Sequence, residues 1–176
     1  LYFSSMVKSL GSLGGFICGD KNIIKYLRYN TRSQIFAKSV PLMVVEGMLK
    51  RMEMIKTRPE LREKLWSNVK KLQGGLKERG FDIGHTNSPV TPVFMKGDIP
   101  EATAMVIKKK KNYHIFCSIV VYPVIPKGDI IYRLIPTARH TDADIEETLN
   151  AFEATKKKLD AGEYKVEHIP DMAELS

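Results

Sequence analysis

The amino-acid sequence predicts an α+β fold in which a three-stranded sheet is covered on one face by helices. Two observations carry that prediction. Up to Gly80 the apolar residues recur at three- and four-residue steps, the period of a helix, whereas from Val90 onward they gather in short runs typical of strands. The order of the runs, helices first and then β, α, β, β, α, sets one helix between the first two strands and another behind the third. The predicted cover helices are residues 59–79, 101–111 and 141–159.

The first six residues, Leu1-Tyr2-Phe3-Ser4-Ser5-Met6, look like the remnant of a protease-cleavable tag running into an initiator methionine, and they are set aside from the fold reading. Phe16-Ile17-Cys18 reads as a buried strand ending at Gly19-Asp20. Asp20 can cap a helix whose Ile23, Ile24 and Leu27 share one face and which ends near Asn30. A loop follows from Thr31 to Val40. Ser39 can cap the next helix, with Pro41 in its first turn and Leu42, Val45, Leu49, Met52 and Ile55 continuing the stripe to about Lys56. Its methionines, Met43, Met48, Met52 and Met54, suit a core or a subunit interface.

Pro59 opens the helix with the best stripe in the chain, Leu61, Leu65, Val69, Leu72 and Leu76, and Gly80 stops it. Phe81 to Asn87 reads as a strand-like turn. Strands are expected at Val90 to Met95, His114 to Tyr122 and Ile130 to Ile135, with the helix Glu101 to Lys111 between the first two and a turn, Pro123 to Asp129, between the last two. Thr141-Asp142-Ala143-Asp144 approximates a capping box ahead of a final helix marked by Ile145, Leu149, Phe152 and Leu159. Residues 163–176 form a polar tail that is expected to fray.

Composition bounds the function. At 176 residues and 43% hydrophobic content the chain can bury one core, and no run approaches the roughly 18 apolar residues of a membrane span. Cys18 and Cys117 lie in apolar runs without metal-ligand spacing, so both read as small core residues in a reduced, cytoplasmic setting. The formal charge of +8 raises the possibility of nucleic acid. Its densest clusters, Lys108-Lys109-Lys110-Lys111 and Lys156-Lys157-Lys158, fall at the ends of predicted helices. There cations complement the helix dipole and solvate a surface face, so no nucleic-acid partner is expected.

One stretch carries chemistry: Lys8-Ser9-Leu10-Gly11-Ser12-Leu13-Gly14-Gly15. A lysine that forms a Schiff base needs close backbone approach, which glycine permits, and an environment that favours its free amine. A glycine-rich entry to a strand would look similar without any catalytic role. The residues Lys8-Ser9-Leu10-Gly11-x-x-Gly14-Gly15-Phe16 closely resemble the cofactor-lysine segment of the α-oxoamine synthases, acyltransferases that use pyridoxal phosphate. That family carries a threonine three places before the lysine and a small residue directly before it; Ser5 and Val7 stand there here.

Three further stretches extend the resemblance from Lys8 to about Leu159. Gln34-Ile35-Phe36-Ala37-Lys38-Ser39-Val40-Pro41 is similar to the family's Phe-Ser-x-Ser-x-Pro segment, with Ala37 in place of the first serine. Tyr122-Pro123-Val124-Ile125-Pro126-Lys127-Gly128 matches its Tyr-Pro-x-x-Pro-x-Gly run. Arg133-Leu134-Ile135-Pro136-Thr137-Ala138-Arg139-His140-Thr141 matches its Arg-x-x-x-x-Ala-x-His-Thr segment.

The resemblance implies a fold type I pyridoxal-phosphate enzyme. Residues 58–162 would be its small C-terminal domain, and residues 7–57 a remnant of the large cofactor-binding domain with the linking helix. Lys8 would hold pyridoxal 5'-phosphate and act as the base, and Lys38 and Ser39 would reach the cofactor phosphate of the neighbouring subunit of a homodimer. Tyr122 would line the substrate side. Arg133 would hold the amino-acid carboxylate, for which a guanidinium is the natural bidentate partner, although a surface arginine would also alternate on a strand. His140 fits a structural role ahead of a helix cap as well as acid–base work. Lys127 fits a turn lysine as well as a contact to a coenzyme A phosphate. The implied reaction joins an amino acid to an acyl-CoA, giving a 2-amino ketone or 2-amino-3-oxo acid. The family's ring-binding aspartate, stacking histidine and phosphate loop would lie before Lys8, so the isolated chain is expected to be an inactive fragment. Two alternatives stay open: a fold type I aminotransferase, and a non-enzymatic basic or dimerisation module.

Overall fold

A computed structural model describes residues 1–164 and divides the chain into two compact units, Leu1–Pro59 and a second from Glu60 onward. In the first unit β1 (Tyr2–Ser5) and β2 (Gly15–Cys18) pair antiparallel, Tyr2 opposite Cys18 and Ser5 opposite Gly15. The stretch set aside as a tag remnant therefore supplies the strand that pairs with β2, and the lysine-bearing loop joins the two. All four residues of β2 are exposed, Cys18 included, against the expectation of a buried strand and a core cysteine. A two-stranded ribbon has no second layer to cover its faces.

Helix α1 (Lys21–Asn30) starts as expected, with Asp20 accepting from the Asn22 amide at 2.8 Å. The predicted loop after it contains one short helix, α2 (Arg32–Ile35). Helix α3 (Leu42–Thr57) begins at Pro41 with no side-chain cap, so Ser39 does not serve as one. Met48 is the buried residue of α3, and Met43 and Leu49 stand largely exposed.

The second unit opens with α4 (Pro59–Glu78), which ends as predicted at Gly80, whose φ of +73° is the left-handed geometry that favours glycine. The sheet follows: β3 (Thr91–Lys96), β4 (Ser118–Val120) and β5 (Asp129–Leu134), in the order β3-β5-β4 with both pairings antiparallel. The predicted strand from His114 shrinks to three residues. His114 itself takes a left-handed turn at the end of α5 (Ile99–Tyr113), so the chain enters the sheet only at Ser118. Helix α5 has a full capping box between Asp98 and Glu101, and α6 (Asp142–Asp160) has one between Thr141 and Asp144.

Alternation along the strands sorts the two faces. Val93, Met95, Ile130, Tyr132 and Leu134 point into the core, where they meet Leu72 and Leu76 of α4, Ala102 and Met105 of α5, and Ile145, Leu149 and Phe152 of α6. The three helices thus cover one face of the sheet, as the α+β reading requires. Burying side chains of this size contributes about 1.5–3 kcal/mol apiece before conformational entropy is charged against it. Edge-on ring contacts, Tyr132 to Phe152 at 5.8 Å and Phe81 to Phe152 at 6.1 Å, fix the centre. Pro92, Phe94, Ile131 and Arg133 lie on the opposite, uncovered face.

Lys109, expected on a solvated surface face, is fully buried in this core. Its Nζ lies 3.8 Å from the Tyr132 ring centroid and 3.7 Å from that of Phe152. Ala102, Met105 and Lys109 form one helical stripe, and that periodicity overrides the charge of the four-lysine run. The predicted tail lies outside the described residues from position 165 onward.

Candidate functional site

In the first unit Lys8 sits in the loop that joins β1 to β2. Main-chain bonds close this loop: the Met6 amide donates to the Gly14 carbonyl, the Ser12 amide to Met6 and the Gly11 amide to Lys8, each at 3.0 Å. Glycine is required at position 15, where an added side-chain carbon would come within 2.9 Å of the Ser4 carbonyl oxygen. Gly11 and Gly14 adopt left-handed φ angles of +51° and +88°, which carry the chain round the lysine. Lys8 is exposed and, among the described residues, joins no ion pair. Lys38 and Ser39 lie exposed in the link between α2 and α3. A side-chain carbon on Gly14 would stand 3.7 Å from Val40 Cγ2, so this link runs beside the lysine loop.

In the second unit Arg133 projects from the uncovered face of β5, and its Nε donates to Ser118 Oγ at 3.1 Å. Neither of its Nη groups has a protein partner among the described residues. Tyr122 follows β4 and is half exposed, with Lys127 Nζ 5.1 Å from its ring centroid. The turn between them is held by the Val124 amide donating to Val121 and the Asp129 amide donating to Pro126. Arg133 and Tyr122 stand on open surface: neither lines the clefts of about 320 and 580 Å³ on this unit.

His140 is bonded into the fold. Its Nδ1 accepts from the Thr137 amide at 2.9 Å, and its carbonyl accepts from the buried Asn68 side chain, also at 2.9 Å. Both contacts fit the structural role rather than acid–base work.

The strongest perturbation of an ionisable group lies in the core. Burial pushes the Lys109 ammonium down from 10.5 to about 8, and burial likewise raises the Cys117 thiol and the Tyr132 phenol. At the surface, hydrogen bonds from Lys71 and Lys64 hold the Asp142 carboxyl below its usual range. Ser118 was not singled out from the sequence; the signal available was its place two residues before Val120 on a strand opposite Arg133. Among the described residues no cluster of His, Cys, Asp and Glu could hold a metal ion, and no helix is long and apolar enough to cross a membrane.

The family model for aminotransferases of class I and II matches residues 1–152, and the chain belongs to that family. Within it, the chain is 57% identical over 165 residues to a cysteate-C-fatty acyltransferase of Capnocytophaga ochracea, covering 94% of this chain and 39% of that protein. It is 37% identical to a serine palmitoyltransferase of Sphingobacterium spiritivorum, covering 85% of this chain and 37% of that one. A high-resolution structure of SPT with its PLP internal aldimine superposes with a TM-score of 0.80 at 29% identity, covering 90% of this chain and 40% of that one. The chain therefore spans about two fifths of the length of these relatives.

Proposed function

We propose that the protein carrying this chain is a pyridoxal-phosphate-dependent acyltransferase of the α-oxoamine synthase type, which joins a small α-amino acid to a fatty acyl-CoA. The observation that carries the proposal is the Nη fork of Arg133, unpaired among the described residues, in a chain so similar to acyltransferases of cysteate and serine. Both of those amino acids have a short, polar side chain, and cysteate is the first substrate to try. Residues 7–57 would belong to the large cofactor-binding domain and residues 58–162 to the small C-terminal domain.

The lysine loop fits the cofactor. Lys8 is exposed and unpaired among the described residues, and in its loop a side-chain carbon on Gly11 would have nothing within 4 Å, so the backbone there is open to a ligand. Pyridoxal phosphate, when bound, supplies the electron sink that makes the substrate α-proton acidic. Lys8 Nζ accepts that proton. Arg133 holds the carboxylate in a bidentate, charge-assisted pair and so fixes which bond at Cα is presented for reaction. Tyr122 closes the substrate side, and Lys127 lies close enough to hold its ring. Lys38 and Ser39 offer a cation and a hydroxyl to a phosphate. A homodimer is supported by the exposed apolar surface of α3, where Leu42, Met43, Leu49 and Ile55 are more than half exposed. A cytoplasmic setting is supported by the two unpaired cysteines, Cys18 and Cys117.

The test uses the complete protein with amino acids and acyl-CoA thioesters, following release of free coenzyme A. Cysteate or serine should drive it, Lys8→Ala should abolish both turnover and the lysine adduct fixed by borohydride, and Arg133→Ala should raise the amino-acid KM by about 100-fold, as loss of a bidentate charged pair implies. Amino transfer to a keto acid without coenzyme A release would overturn the reading in favour of an aminotransferase.

A further inference from the structure

The guanidinium of Arg133 has two edges that can each present a pair of parallel N–H donors: the end formed by both Nη groups, and the side formed by Nε with one Nη. The side edge is taken, because Nε donates to Ser118 Oγ at 3.1 Å. This contact follows from the sheet itself. Ser118 and Arg133 are directly opposite in the β4–β5 ladder, and the next outward pair on that face is Val120 with Ile131. On the other side Arg133 is opposite Pro92, which has no polar side chain. Among the cross-strand neighbours of Arg133 and the next outward pair, Ser118 alone offers a side-chain hydrogen-bond acceptor.

We propose that Ser118 is a positioning residue for the amino-acid substrate: it holds the Arg133 side chain by Nε so that only the Nη end faces an incoming carboxylate. This rests on the carboxylate role of Arg133 given above. An arginine side chain has about 2 kcal/mol of rotamer entropy to lose on being ordered. Ser118 restrains that freedom before the substrate arrives, and it removes side-on docking as a competing mode. The amino acid is thereby presented in one orientation.

The experiment has two arms. In the isotopically labelled chain, with the Arg133 Nε–H resonance assigned by its loss in Arg133→Lys, Ser118→Ala should speed solvent exchange of that proton by about tenfold, and Ser118→Thr, which keeps the hydroxyl, should restore it. In the complete enzyme Ser118→Ala should raise the amino-acid KM five- to tenfold, the effect of one hydrogen bond to a charged group partly replaced by water. The acyl-CoA KM should stay within twofold, and Ser118→Thr should recover most of the loss. Equal exchange rates in wild type and Ser118→Ala, or a parallel rise in both KM values, would overturn the proposal. If Arg133→Lys leaves the amino-acid KM unchanged, the carboxylate reading itself fails, a result separable from the exchange arm.

Discussion

Replacing Lys109 by methionine should make the protein more stable, although it removes a charge from a chain that carries many. Lys109 has no exposed surface, and its Nζ has no hydrogen-bond partner among the described residues. Methionine has nearly the same length and volume and needs no partner. Taking an ammonium out of water costs several kcal/mol, and the ring faces of Tyr132 and Phe152 offset only part of that. Burial shifts the Lys109 pKa from 10.5 to about 8, which at 1.36 kcal/mol per pH unit amounts to about 3 kcal/mol.

The pH dependence gives the prediction its sign. Because the folded value lies below the unfolded one, the unfolded chain binds more protons between pH 8 and 10.5, and stability rises with pH through that window. Below about 8 the penalty is present in full; above about 10.5 it is gone. Lys109→Met should therefore gain about 2–3 kcal/mol at pH 7, read as a higher urea midpoint with unchanged slope, and the gain should shrink as the pH is raised to 10.5. Lys109 and Cys117 act on each other electrostatically, so the comparison is made in a Cys117→Ala background, where the difference isolates the lysine. Lys109→Arg, which cannot shed its proton, should destabilise at every pH. A methionine variant that is less stable than wild type, by an amount constant with pH, would refute the reasoning: the rings would then make the cation a net asset.

Two predictions concern helix contacts in the second unit. Gly75→Ala places a carbon 2.4 Å from Leu149 Cδ1 in the core, so despite the better helix propensity it should lose about 1–3 kcal/mol in urea unfolding, and Leu149→Ala in the same chain should relieve part of that. Asn68→Leu removes the donor that joins α4 to the Thr137 and His140 carbonyls, at 2.9 Å each, and should cost about 2–4 kcal/mol with faster amide exchange around residues 137–141; an unchanged midpoint would show that water replaces both bonds.

What the sequence made legible follows from how far each signal reaches. The helices of the second unit were readable because their stripes are long: Leu65, Val69, Leu72 and Leu76 repeat often enough to define one face without help from neighbours. The capping boxes that open α5 and α6 are set by residues three apart, and the one at Thr141 was visible for that reason. Features that depend on contacts remote in the chain were not readable. Nothing around Ser39 excludes a cap, yet α3 starts three residues later, at Leu42, with Pro41 at the cap position. Cys18 is apolar in context and still exposed, since burial needs a second layer that β1 and β2 do not have.

The two halves of the proposed site differ in the same way. Lys8 could be singled out as a candidate because its signal is local, glycines within seven residues of it. Ser118 could not, because what gives it meaning is its position across a ladder from Arg133, fifteen residues away. Lys109 marks the opposite error. Four adjacent lysines read as solvent-facing, but a helix turns about 100° per residue, so a run of four must sweep every face. With Ala102 and Met105 already buried, the residue completing their stripe was bound to follow them inward whatever its charge. The long stem of lysine fits such a position, leaving the ammonium against ring faces, with no carboxylate paired to it among the described residues.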